Sequence, residues 1–261
     1  MANIFGNGSA NLLFGTGFAD LIRGFDGEDT IYGRGGNDLI EGNDDDDRLF
    51  GEGGNDTILG GKGEDTLSGG DGDDRLTDES GDDVLSGGAG NDWLDAGEGN
   101  DKLTGSSGND TLYGREGDDR IVGGSGNDRM IGGEGNDTMI AGSGDDVAIA
   151  GAGNDVLKGG GGRDVLSGGE GNDILDGGTG NDTMTGGEGA DVFVFSSGRD
   201  VVRDFESGDD QIDLSGIASS FGQVQAAAKQ VGDHLWLEFD QGAIRLDNTQ
   251  LSDLDSDDFI Y

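Results

Sequence analysis

Apolar residues fall along this chain at one spacing. Ile22, Ile31, Ile40, Leu49, Ile58 and Leu67 stand nine apart, and the series runs on to Met184 and Phe193, with Ala148 its smallest member. An Asp precedes each by two residues, from Asp20 to Asp191, twenty positions in steps of nine. Self-similarity at a fixed short period is the signature of a stacked-repeat fold. The unit reads G-G-x-G-x-D-x-U-x with U apolar, as in Gly87-Gly88-Ala89-Gly90-Asn91-Asp92 and the residues after it. Three glycines in six residues permit positive φ and close backbone approach, so positions one to six are expected to form a tight loop with its carbonyls available. Positions seven to nine are expected to form a short strand, U pointing to one side and its neighbours to the other. One nonapeptide cannot bury its single apolar residue, whereas stacked copies make a continuous apolar ladder, so stability has to come from neighbours.

The pattern changes after Asp191. Val192-Phe193-Val194-Phe195 alternates larger apolar residues and glycine becomes sparse. Two strand-like runs follow, His234 to Phe239 and Ala243 to Leu246, separated by a Gln241-Gly242 turn signal, and Phe221 to Val231 predicts a short helix. Solenoids need their exposed ends closed. The reading is therefore a repeat domain over residues 1–200 and a mainly-β C-terminal cap over residues 201–261.

Composition sharpens this. With 58 Gly, no Pro, no Cys and 31% hydrophobic residues, a large conventional core is not expected. Lys plus Arg number 15 against 56 Asp plus Glu, a formal charge of −41. Such self-repulsion opposes compaction unless cations neutralise it, and it makes nucleic acid a poor partner. Low hydrophobicity with high net charge also describes disordered chains, but twenty aspartates in register do not arise in a random acidic tract. The missing Cys excludes disulfides and thiolate metal sites. The segment Met1 to Gly6 has no basic stretch followed by an apolar run, so an export address is expected elsewhere. Met1 directly before a weak repeat is expected of a complete chain rather than a fragment.

The nonapeptide resembles the RTX (haemolysin-type) calcium-binding repeat, over about residues 6 to 200. Weaker copies flank the array, with Asn11 in the Asp position before Leu13 and Asp200 before Val202. The resemblance implies an all-β fold, a parallel β-roll or β-solenoid with two nonapeptides per turn and alternate loops on opposite edges. Stacking brings the carboxylates of one edge a strand spacing apart, where like charges repel strongly. Calcium suits such a stack, because it takes six to eight oxygen ligands in flexible geometry and the loops offer carboxylates and carbonyls but no His or Cys.

By resemblance to the family, each ion is shared by two successive loops of one edge, so that Asp92 pairs with Asp110 rather than Asp101. The carboxylates so assigned are Asp29, Asp38, Asp56, Asp65, Asp74, Asp92, Asp101, Asp110, Asp119, Asp128, Asp137, Asp146, Asp155, Asp164, Asp173, Asp182 and Asp191. The carbonyl-bearing glycines are Gly87, Gly123, Gly132, Gly159, Gly168 and Gly177 at position one, and Gly124, Gly133, Gly160, Gly169 and Gly178 at position two. At position four they are Gly90, Gly126, Gly135, Gly162, Gly171 and Gly180. Sharing gives roughly eighteen sites at most, whose charge of about +36 would leave the chain near −5. The repeats are then expected to be disordered without calcium and to fold as it binds. Three loops depart from the unit, at 15–20, 42–47 and 78–83, and weak or empty sites are expected there.

The run Ala190-Asp191-Val192-Phe193-Val194-Phe195, then Asp204-Phe205 and Asp213-Leu214-Ser215, is similar to the segment that ends serralysin-type proteases, as is the close Asp257-Asp258-Phe259-Ile260-Tyr261. That resemblance implies a C-terminal type I secretion signal and export from a Gram-negative bacterium to the extracellular space. No zinc protease can be built, since H-E-x-x-H is absent and His234 is the single His. No phosphate-binding loop or nucleophile arrangement stands out, and acid pairs are too numerous to single one out. The chain therefore reads as a secreted calcium-binding protein and not an enzyme. Its expected partners are calcium, the secretion machinery, and a host cell surface, polysaccharide or membrane, as with exported rhizobial nodulation-signalling RTX proteins. The alternatives are the non-catalytic module of a larger secreted protease or alginate epimerase, or an adhesive or membrane-active RTX protein. Tyr32, Trp93 and Tyr113 read as isolated surface aromatics.

Overall fold

The computed structural model describes residues 1–261, and the chain divides into two compact units, Met1–Glu134 and Gly135–Tyr261. Both are built on a parallel β-roll. In the first unit strand Leu39–Asp44 pairs with Thr57–Lys62, and Val84–Ala89 with Lys102–Ser107. In the second, Val147–Ala152 pairs with Val165–Glu170. Each pairing is parallel and joins residue i to residue i+18, as two nonapeptides per turn require.

Strands are longer than the sequence pattern predicts. Thr57–Lys62 and its equivalents run six residues, from position seven into position three of the next repeat, leaving Gly63, Glu64 and Asp65 as the connection. The physical reason is the register. The backbones of positions one to three stack on those eighteen residues away, so they keep ladder hydrogen bonds despite a positive φ at position two, 113° at Gly70 and 115° at Gly88.

Alternation along each strand sets the core. The U side chains from Ile22 to Val202 are inaccessible, and so are Ala96, Ala141 and Ala150, which replace glycine at position one. A large and a small residue thus face inward in turn, and the small ones offer no mobile side chain to refill a gap. Leu94→Ala is accordingly expected to cost about 2–5 kcal/mol, read as a fall in thermal stability under saturating calcium. Val84→Ala, at a site 41% exposed, is expected to stay within about 0.5 kcal/mol; equal losses at the two sites would contradict this packing.

The aromatics are not isolated. Phe14, Tyr32 and Phe50 are eighteen residues apart, and the register stacks them, with ring centroids 5.4 and 4.9 Å apart. Trp93 and Tyr113 lie at 4.8 Å, with the guanidinium groups of Arg75 and Arg115 over their faces.

In the second unit the parallel stacking continues beyond residue 200. Val192–Val194 pairs with Gln211–Asp213, and Ser197–Val202 with Gly242–Leu246. The strands expected at 234–239 and 243–246 form, as an antiparallel pair. The helix covers Phe221–Ala227 only; Ala228–Val231 is a strand paired with His234–Leu237, because a turn at Gly232 (φ 65°) returns the chain against it. His234 lies on this hairpin, its Nδ1 2.9 Å from Asp247 Oδ1. No helix is long and apolar enough to cross a membrane.

Candidate metal centres

The repeat aspartates lie at the edges of the roll and are buried there. From Asp20 to Asp191 each is at most 2% exposed. Within each unit they form two ladders, one per edge, in which the backbone N–H of one Asp donates to Oδ1 of the Asp eighteen residues on. On one edge Asp47 donates to Asp65 at 2.6 Å, Asp65 to Asp83 at 2.7 Å and Asp83 to Asp101 at 2.8 Å. On the other, Asp56 donates to Asp74, Asp74 to Asp92 and Asp92 to Asp110, each at 2.8 Å. In the second unit Asp164 donates to Asp182 and Asp173 to Asp191. Asp92 therefore does neighbour Asp110.

One oxygen of each carboxylate is thus held. The other, Oδ2, is buried without a donor in Asp29, Asp38, Asp56, Asp74, Asp92, Asp101, Asp110, Asp164, Asp173, Asp182 and Asp191. A buried charged oxygen left in this way is costly unless something else meets it. The position-one glycines make the room it points into. A methyl group built on Gly51 would collide with Asp56 Oδ2 and come within 2.7 Å of the Gly69 carbonyl oxygen. Gly87, Gly159, Gly168 and Gly177 abut their own Asp in the same way, and the carbonyls of Gly123 and Gly132 face the spaces beside Gly105 and Gly114. The position-two and position-four glycines assigned above take positive φ, from 85° at Gly178 to 148° at Gly180.

Burial raises the carboxylates' proton affinity, more than the single N–H bond lowers it. Asp56, Asp101, Asp110, Asp164 and Asp173 are pushed up to about 6. Asp47, Asp74 and Asp83 reach about 7, with neighbouring carboxylates adding to burial. Asp20 goes the other way. It accepts from Ala2 N–H, which dominates, and its Oδ2 is satisfied by the Thr16 N–H and hydroxyl, both at 2.7 Å. The degenerate loop at 15–20 thus leaves its Asp no spare oxygen.

The ladders have members beyond the carboxylates that the repeat pattern assigns. The missing glycines of their loops predict weak or empty sites at Asp47 and Asp83, yet both are buried with a donorless Oδ2. At 42–47 the chain adopts the glycine conformation anyway, Asn43 at φ 95° and Asp45 at φ 80°. Asp200 and Asp210 end the ladders, accepting from Asp182 and Asp191 at 3.0 Å. Asp210 is nineteen residues from Asp191, and that single-residue slip hides it from a search in steps of nine.

Donorless carboxylate oxygens, carbonyls turned toward them and the space that a small position-one residue leaves open make an all-oxygen donor set suited to a hard cation such as calcium. Fold and site together define a metal-binding β-solenoid. A family model of the RTX calcium-binding nonapeptide repeat, in four-copy blocks, matches overlapping segments from residue 5 to residue 202, and the chain belongs to that family. No curated protein matches the sequence. Two solved structures are similar in part. The extracellular lipase LipA of Serratia marcescens is 20% identical with a TM-score of 0.41, over 72% of this chain and 40% of the lipase. The AlgE6R3 subunit of the Azotobacter vinelandii mannuronan C5-epimerase is 24% identical with a TM-score of 0.29, over 56% of this chain and 80% of that one. The chain thus spans two fifths of the lipase's length.

Proposed function

We propose that this chain is an extracellular, non-catalytic calcium-binding protein whose β-roll forms on meeting calcium outside the cell. The observation that carries the reading is the stacking of buried aspartates in which Oδ2 of Asp29, Asp38, Asp56, Asp74, Asp92 and Asp110, and of Asp164, Asp173, Asp182 and Asp191, lacks a donor. Calcium, when bound, supplies the positive charge those stacks need. The ligands are the aspartates from Asp29 to Asp191 with the loop glycines named above, and sharing between successive turns allows up to about eighteen ions.

Residues 1–200 are assigned to the calcium-binding roll and residues 201–261 to the cap and a type I secretion signal. Cytosolic calcium is too scarce to fill weak sites, whereas extracellular calcium is abundant enough. The chain would therefore leave the bacterium unfolded and fold outside, where a host surface or polysaccharide is the partner class. Deleting residues 201–261 is expected to abolish export through a type I transporter. Secretion of the shortened chain at the level of the intact one would refute the assignment.

A further inference from the structure

One repeat carries a residue that the ordinary unit does not use. Where Gly51, Gly69 and Gly87 stand at position one, the repeat ending at Asp83 has Asp78. Glu79, at the position where Gly70 and Gly88 take positive φ, does not take it. The loop is rebuilt so that the extra side chain turns inward, and Asp78 is 5% exposed. Its Oδ1 accepts from Glu79 N–H at 2.7 Å and Gly61 N–H at 3.3 Å.

Its Oδ2 enters the space beside Gly60. Beside Gly51 and Gly69 that space is faced by the carbonyl of the glycine eighteen residues on; beside Gly60 it is faced by Oδ2 of Asp78 and Oδ2 of Asp65. Oxygens of Asp65, Asp78 and Asp83 all lie within 4.8 Å of one another. All three residues are more than nine-tenths buried, and Oδ2 of each has no donor. The outer oxygens are fixed in turn, Asp65 Oδ1 by Asp47 N–H and Asp83 Oδ1 by Asp65 N–H. Asp65 and Asp78 therefore aim unmet oxygens into the space that Gly60 keeps open, and a carboxylate oxygen of the anchored Asp83 lies within 4.8 Å of theirs.

We infer that Asp65, Asp78 and Asp83 form a three-carboxylate cation site, different in kind from the two-carboxylate steps of the array, which takes calcium before the other loops do. The donor set is oxygen only, which selects a hard cation, and its irregular geometry favours calcium over magnesium. Ligand charge tunes affinity in calcium sites, and this site carries one carboxylate more than its neighbours. Asp65 and Asp83 immediately precede the paired strands Thr66–Asp71 and Val84–Ala89, so filling this site first would fix two successive turns and seed those on either side. The loop expected from sequence to be weak becomes the strongest.

The inference rests on the calcium reading of the array, and equilibrium dialysis of the full-length chain against radioactive calcium separates the two. The chain with Asp78 intact is expected to bind one equivalent at least about tenfold tighter than the rest. Asp78→Gly, which restores the ordinary repeat residue, and Asp78→Asn are both expected to lose that tight equivalent while keeping the calcium-saturated circular dichroism spectrum. If the tight equivalent survives in either variant, or if all sites form one class in all three chains, this inference falls and the array reading stands. No calcium uptake by any of the chains overturns both.

Discussion

Withdrawing calcium at neutral pH is expected to remove most of the β signal in the far ultraviolet, and restoring it to return the signal in full. Two ionised carboxylates a strand spacing apart repel by about 3 kcal/mol at an effective dielectric near 20, and each edge stacks them turn after turn. A folded domain is stable by only about 5–15 kcal/mol. A few unneutralised steps therefore exceed what the thin apolar ladder supplies, and a chain of formal charge −41 has no other large source of positive charge. Because cations bind the assembled loops and not the open chain, stability should also climb with calcium concentration long after the fold has formed. Circular dichroism during titration from excess chelator measures both. A full β spectrum in chelator at pH 7 would sink the argument.

Acid is expected to do part of what calcium does. In calcium-depleted buffer, lowering the pH from about 8 to about 5 should convert the disordered chain into a β-rich, compact one. An unfolded Asp titrates near 3.9, whereas in the fold Asp56 and Asp110 are raised to about 6 and Asp47, Asp74 and Asp83 to about 7. Between those limits the folded chain holds protons that the unfolded chain has shed. Stability without calcium is therefore fully available below about pH 4 and is lost as pH rises through 6 to 7. A single Asp raised to about 6 contributes on the order of 3 kcal/mol to that swing. The same sign means protons compete with calcium, so the calcium midpoint should rise as pH falls from 7 to 5. Sedimentation alongside circular dichroism distinguishes folding from precipitation near the isoelectric point of about 4.1. β content that stays flat or falls on acidification would count against the buried ladders.

What the sequence made legible was whatever repeats at nine. The U series, the Asp series and the two-per-turn roll all follow from a chain that must bury one apolar residue per unit by stacking. What stayed hidden depends on eighteen, or on a break in nine. Phe14, Tyr32 and Phe50 look scattered when each is compared with the next repeat, and line up only when compared with the next turn. In sequence the missing glycines of loop 42–47 read as a defect, although stacking holds Asn43 and Asp45 in the glycine conformation, as it holds Arg34 and Glu52 at φ 78° and 73°. In sequence Asp78 reads as a lost glycine rather than a gained carboxylate, since only the folded loop reveals that its side chain turns inward. Burial of the aspartates was illegible for a related reason. Asp beside Gly and Asn reads as a solvated turn, and nothing local says that the next turn will cover it.

The aspartate ladders also run in one direction. In each unit the steps pass from the N–H of one turn to the carboxylate of the turn after it, so the first turns of the first unit and the last turns of the second have different needs. At the start, Ala2 and Asn11 donate to Asp20 and Asp29, and a donor there need carry no carboxylate of its own. At the finish, Asp182 and Asp191 must be met by carboxylates from beyond the regular repeats, and Asp200 and Asp210 provide them. Erosion from the front would strip away donors and leave carboxyl oxygens free to turn to water. Erosion at the last turns of the second unit would strand backbone N–H groups inside a closed turn, so damage there costs more than damage at the first turns of the first unit.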